Sequence, residues 1–200
     1  DSRLMVATLK KFGYDNVMCY SYGVPGNKES VLSSQISEKA GYPWIQIPYS
    51  PNLWRETASN EEFREYQTFA ANGGSFPHHD DWPAVSILRQ NPKISKGAIF
   101  VPGHTGDFIS GDHLKHLFDP FVWDGHPHDI KGALVQKHYS LWRDFVRLRN
   151  VRNILEHRMD EILDCFPRQT DEDAARMYEY WEWQERQSKS IINSVRVYEF

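Results

Sequence analysis

Early in the chain the apolar positions switch repeatedly between helical and alternating spacing. Leu4, Met5, Leu9 and Phe12 recur at helical intervals after Asp1 and Ser2, and Gly13 supplies a terminator, so an amphipathic helix is predicted. The run NVMCYSYG follows, rich in strand formers and closed by Gly23. NKESVLSSQISEKAG then places Val31, Leu32, Ile36 and Ala40 on one helical face and ends at Gly41, before YPWIQIPYS returns to strand composition. Helix, strand, helix and strand joined by short turns predict a parallel sheet with crossover helices, and a further strand is expected ahead of Asp1.

From Pro51 to Gly74 the pattern is helical, with Phe63, Tyr66 and Phe69 as the expected buried set. NGGSFPHHDDWP reads as a loop, Trp82 to Leu88 as a short helix, GAIFV as another strand, and Phe108 to Phe118 as a helix leaving a glycine-rich turn. After an irregular connection, Ala133 to Arg149, Val151 to Cys165 and Asp171 to Ser194 are long helical runs. The expected organisation is an α/β part over residues 1–120 that leads into a helical part over 121–200 of the same domain. Both ends read as cut, so a fragment of a longer protein is expected.

Composition narrows the partners. Forty per cent hydrophobic and 14% aromatic residues in a chain of 200 suffice for one sizeable core. A net charge of −4 provides no basic surface for nucleic acid or an anionic membrane, so neither is an expected partner. The cysteine pair, Cys19 and Cys165, is too few for a disulfide framework or a four-cysteine zinc site, and it fits a reducing cytoplasm. There is no apolar run of about 18 residues and no signal-peptide order at the amino end, so a soluble cytoplasmic protein is expected.

The candidate chemistry gathers at expected strand ends. Asp1 and Ser2 open a helix that should follow a strand, where the positive end of the macrodipole suits phosphate and a carboxylate suits its metal. They are also ordinary N-cap residues. VPGHTGDFISGDH would lie at another strand end, with Gly103 and Gly106 permitting close backbone approach and Asp107 offering a second carboxylate. Two carboxylates from separate loops on one Mg2+, which bridges phosphates, is an oxygen-rich arrangement used for nucleotides.

These segments resemble the synthetase domain of the asparagine synthetase family, within the adenylating enzymes that carry a pyrophosphate-binding loop. Asp1 and Ser2 match the last two residues of that family's Ser-Gly-Gly-x-Asp-Ser loop. SYGVPGNKES resembles its adenine-binding segment, and VPGHTGDFISGDH resembles its second glycine-acid loop, with Gly103, Asp107 and Gly111 matching. The resemblance spans most of residues 1–115 and fades in the helices. It implies a Rossmann-like, three-layer parallel sheet of the adenine nucleotide alpha hydrolase type, followed by helices. It also implies an ATP-dependent, AMP- and pyrophosphate-forming carbon–nitrogen ligase. In that ligase Asp1 and Asp107 bind Mg2+, Ser2 contacts pyrophosphate, Ser21, Tyr22 and Gly23 hold adenine through backbone atoms, and Gly103 and Gly106 line the nucleotide. A small-molecule carboxylate is the implied substrate, with nitrogen from ammonia or an amine, supplied by free ammonia or by a glutaminase domain or subunit.

The chain departs from the family at informative places. His104 replaces a glutamate, Phe108 an acid and Asp112 a glycine. A histidine there could take a proton from the attacking amine at neutral pH, or only hydrogen-bond an acyl oxygen. QERQSKSIINSVRV resembles the family's pyrophosphate-binding cationic segment, which makes Arg186 and Lys189 candidates; a solvated helix face is their alternative. Two rival readings stand beside the ligase: a nucleotide-binding scaffold with a degenerate site, and a histidine-dependent metal hydrolase. For the latter, His78, His79, Asp80 and Asp81, His113 and His116, or His126, His128 and Asp129 could supply ligands, although no H-E-x-x-H motif occurs. HHDD could instead line an acceptor pocket. The stripe MYEYWEWQE reads as packing surface, and the arginines from Arg143 to Arg158 as partners of interleaved acids.

Overall fold

The structure is a computed structural model that describes residues 2–121 and 125–200. It divides into two compact units: the chain up to His104 together with Ser190–Phe200, and Thr105–Lys189. The division therefore falls before the glycine-rich turn is complete, and the last residues rejoin the first unit. Among the described residues no helix is long and apolar enough to cross a membrane.

The first unit holds α1 (Ser2–Lys11), β1 (Cys19–Gly23), α2 (Lys28–Ala40), β2 (Trp44–Pro48), α3 (Pro51–Ser59), α4 (Glu61–Ala71) and α5 (Trp82–Arg89). β1 and β2 pair in parallel, with Cys19 opposite Trp44 and Gly23 opposite Pro48. A parallel pair requires a crossover, and α2 provides it. Asn27 caps α2 by accepting from the Ser30 amide at 2.8 Å, and Gly41, in the left-handed region at φ 71°, ends it. This is an α/β architecture with a parallel pair.

The packing differs from the sequence pattern at several points. α2 buries Ser30 and Ser37, whereas Val31 and Leu32 are exposed. Ser37 Oγ returns its hydrogen to the Ser33 carbonyl, so a small hydroxyl can face the neighbouring strand without an unmet donor. GAIFV forms no strand: among the described residues the sheet has only two strands, and no three-layer sheet is seen. Phe100 of that segment packs edge-on against Tyr20 and stacks on Tyr198 at 4.9 Å, so the segment is held by its ring, without ladder hydrogen bonds. The core of this unit combines Ile47, Ala84 and Leu88 with a second group of Phe63, Tyr66, Trp82, Val85 and Val197. Phe63 and Tyr66 are buried as expected, and Phe69 is half-buried under the Arg196 guanidinium.

The second unit is helical. Its elements are α6 (Gly106–Ile109), α7 (Lys115–Phe118), α8 (Ile130–His138), α9 (Arg143–Val146), α10 (Arg149–Leu163) and α11 (Asp171–Trp181). The chain then runs on through a π-helical stretch, Glu182–Ile191. The expected helix from Phe108 to Phe118 is broken, because Gly111 adopts φ 77° between α6 and a 3-10 turn at Asp112–Leu114. The run from Ala133 to Arg149 is likewise broken, at the 3-10 turn Ser140–Trp142. α11 begins with a capping box between Thr170 and Asp173. Leu117, Leu134, Met159, Leu163, Met177 and Tyr178 lead its core. Tyr178 and Trp181 of the aromatic stripe are buried in it, and Trp183 is exposed.

Leu134 is fully buried and Leu141 is 95% exposed. Leu134→Ala is expected to cost about 2–5 kcal/mol in urea unfolding, against less than about 0.5 kcal/mol for Leu141→Ala. Equal shifts in midpoint for the two variants would contradict this core assignment.

Candidate functional site

The candidate site is built around one carboxylate of the first unit. Asp81 precedes α5 at the N-cap position, yet its side chain makes no capping hydrogen bond. The carboxylate is 2% exposed and turns toward the carboxyl ends of the two strands. Tyr22, near the end of β1, donates its hydroxyl to Asp81 Oδ1. Tyr198 donates to Oδ2 at 3.3 Å. His104 Nε2 lies 3.4 Å from the same Oδ2, and His78 Nδ1 lies 3.6 Å from it. One ligating atom from each of His78, Asp81 and His104 falls within 4.8 Å of the others. The two imidazoles are nearly perpendicular, with centroids 5.9 Å apart.

The loop that carries His78 and Asp81 is pinned from several directions. Tyr66 Oη donates to the His78 carbonyl at 2.7 Å, and Tyr49 Oη donates to the Asp80 carbonyl at 2.5 Å. Tyr49 Oη also accepts from the Ala84 amide, so a residue just beyond β2 fixes the start of α5. Tyr49 stacks on Tyr22 at 5.0 Å, which ties the two strand ends together. Buried hydroxyls meeting loop carbonyls satisfy groups that would otherwise be costly to enclose.

The charges follow from this enclosure. Burial raises the Asp81 carboxyl, but its pairing with His104, His78 and Tyr22 outweighs that and holds it below the usual carboxylate range. Burial, and then the bond to Asp81, push the Tyr22 hydroxyl well above the usual phenol range, so it remains a donor. Asp81 also raises His78, against the opposing effect of burial. The positive end of α5 adds a favourable field at the Asp81 carboxylate.

The other sequence-derived residues are distributed as follows. Ser21, Tyr22 and Gly23 occupy the last positions of β1, with Ser21 Oγ accepting from Trp44 Nε1 at 3.3 Å. Gly23 is at φ 120°, where a side chain would be strained, and a Cβ would meet Asn27 Nδ2 at 3.3 Å. Gly103 is half-buried, next to His104. Ser2 is exposed at the start of α1. Asp1 lies outside the described residues. Gly106 and Asp107 belong to the second unit, where Asp107 is exposed in the short helix α6.

Arg186 and Lys189 also belong to the second unit and face acids of their own helical stretch. Lys189 pairs with Glu185 at 2.5 Å, and Arg186 Nη1 lies 3.7 Å from Glu182 Oε2. Glu182 is completely buried, its Oε1 accepting from Lys137 at 2.5 Å and lying 2.9 Å from His138 Nε2. Of the remaining histidines considered as ligands, His113 is buried between Phe108 and Tyr178, and burial lowers its pKa. His126 and His128 stack on one another. Arg147 and Arg152 pair with Asp144 and Glu156.

Sequence reasoning treated HHDD as a possible ligand group or pocket lining and overlooked Tyr198. An aspartate before Trp-Pro is a normal helix start, so nothing in the letters announces that its side chain points elsewhere. Tyr198 had no local signal at all, because its partner is distant in sequence. Comparison with protein-family models, curated proteins and solved structures gives no match for this chain.

Glu182 generates a pH prediction. Burial raises its carboxyl, but His138 and Lys137 outweigh burial and bring it to about 2, from an ordinary 4.5. A depressed folded pKa adds stability that is fully present above 4.5 and is lost as pH falls through about 2. Acid unfolding followed by circular dichroism should therefore show stability declining over that window. Glu182→Gln should flatten the decline and cost about 3–5 kcal/mol at neutral pH by stranding Lys137 and His138. An unchanged acid profile in the variant would contradict the assignment.

Proposed function

We propose that the chain is the synthetase part of a cytoplasmic, ATP-dependent amide-forming ligase. In this reading it is a Rossmann-like domain of the adenine nucleotide alpha hydrolase type that adenylates a carboxylate, releases pyrophosphate and transfers the acyl group to ammonia or an amine. The single observation that carries the reading is the His104–Asp81 pair beside Tyr22 at the carboxyl end of a parallel strand, the position where α/β sheets take ligands. Gly23 leaves the end of β1 free of a side chain, which supports close approach of a nucleotide there.

ATP, carried with Mg2+, supplies the adenylyl group that turns a carboxylate oxygen into a leaving group. The chain's own part is proton handling and positioning. As nitrogen attacks the acyl carbon, the His104 ring nitrogen that does not face Asp81 accepts the proton that nitrogen loses, and AMP departs with the carboxylate oxygen. Asp81 fixes the ring and offsets the positive charge it acquires. Asp81 is a positioning residue, and His104 the proton acceptor. The free thiols of Cys19 and Cys165 accord with a reducing compartment.

The reading is tested by incubating the full-length protein with ATP, Mg2+, ammonia and a panel of small carboxylates while pyrophosphate and amide are measured. Both products are expected in equal amounts. His104→Ala should lower kcat by about 10²–10⁴-fold with little change in the KM for ATP. Asp81→Asn should lower kcat and alter its pH profile. Absence of pyrophosphate release with every carboxylate, or full turnover by His104→Ala, would refute the proposal.

A further inference from the structure

The distances around Asp81 carry a second consequence. His104 Nε2 and His78 Nδ1 stand 3.4 and 3.6 Å from Asp81 Oδ2, at or beyond the limit of a hydrogen bond. His78 Nδ1 is buried and has no hydrogen-bond partner. Such a nitrogen, aimed at a carboxylate oxygen yet too far to bond it, leaves a space between the two groups. Ligand atoms bound at about 2.0–2.1 Å to a tetrahedral ion stand about 3.3–3.4 Å apart, close to both observed separations.

We propose that His78 Nδ1, Asp81 Oδ2 and His104 Nε2 form a three-ligand site for one zinc-class divalent ion, with the fourth coordination position open. The donors are two imidazoles and one carboxylate, a set that suits Zn2+, Co2+ or Fe2+ and not Mg2+. The groups that orient these ligands are in place. Tyr22 occupies Asp81 Oδ1, while Oδ2, which accepts from Tyr198 at 3.3 Å, keeps a second lone pair for the ion. His78 turns its other nitrogen toward Asp80 Oδ2, at 3.8 Å. A carboxylate behind a ligating histidine can orient it once drawn within hydrogen-bond distance. Access comes from the histidine side, since the His78 and His104 side chains are 41% and 24% exposed while Asp81 is enclosed. The three ligands belong to one unit, so the site is self-contained. It also stands independently of the ligase reading, although an ion bound there would take the His104 lone pair that proton transfer uses.

The test is titration of the full 200-residue chain with Co2+ at neutral pH, followed by visible ligand-field absorption. One ion per chain is expected, with bands typical of four-coordination, displaced by Zn2+ and unaffected by excess Mg2+. His78→Ala and Asp81→Asn should weaken binding by at least about 100-fold, and Tyr22→Phe by about 10-fold. His128→Ala, in the second unit, should leave the bands unchanged. Circular dichroism checks folding; if Asp81→Asn unfolds, His78→Gln, at a half-exposed position, decides. Failure of the folded chain to bind Co2+, binding that survives loss of His78, or loss of the bands in His128→Ala would each overturn the proposal.

Discussion

A buried carboxylate with four polar neighbours organises the first unit. Asp81 could have capped α5, as an aspartate before Trp-Pro ordinarily does; instead its oxygens collect Tyr22 from β1, Tyr198 from the closing segment and two histidines from separate loops. Enclosing a carboxylate is costly unless its lone pairs are met, and here each oxygen has partners. The same contacts bind the strand ends to α5 and to the last residues of the chain. The fold of this unit and its candidate site thus share one group.

Much of the local structure was legible because it depends on neighbours in sequence. Gly41 had to end α2, Thr170 had to begin α11, and the two strand-rich runs became β1 and β2. What escaped depends on partners far along the chain. α2 turned Ser30 and Ser37 inward and left Val31 and Leu32 exposed, because its orientation is set by the strand it crosses and not by its own most apolar stripe. GAIFV had strand composition, but Phe100 was claimed by Tyr20 and Tyr198 and no ladder formed. His104 was recognised as chemically unusual from its motif. Asp81 was named among possible ligands, but its pairing with His104, 23 residues on, had no local signal.

The histidine pair approaches the Asp81 carboxylate from two separate loops, and both proposals start from that geometry. A single carboxylate oxygen stands 3.4 Å from His104 Nε2 and 3.6 Å from His78 Nδ1. The proposed proton transfer and the proposed ion exclude each other at any instant, because a neutral imidazole has one free lone pair. In the second unit the contrast is instructive. Glu182 is equally buried, but its Oε1 is already taken by Lys137 and His138, and its Oε2, without a hydrogen-bond partner, faces the Arg186 guanidinium at 3.7 Å.

The most direct measurement is a carboxyl-carbon NMR titration of Asp81, with the resonance assigned by its loss in Asp81→Asn. The account predicts that this carbon stays in its ionised position as pH is lowered past the ordinary aspartate value of 3.8. A midpoint at or above that value would mean that the histidines and tyrosines do not hold the charge, and the organisation described for the site would fail.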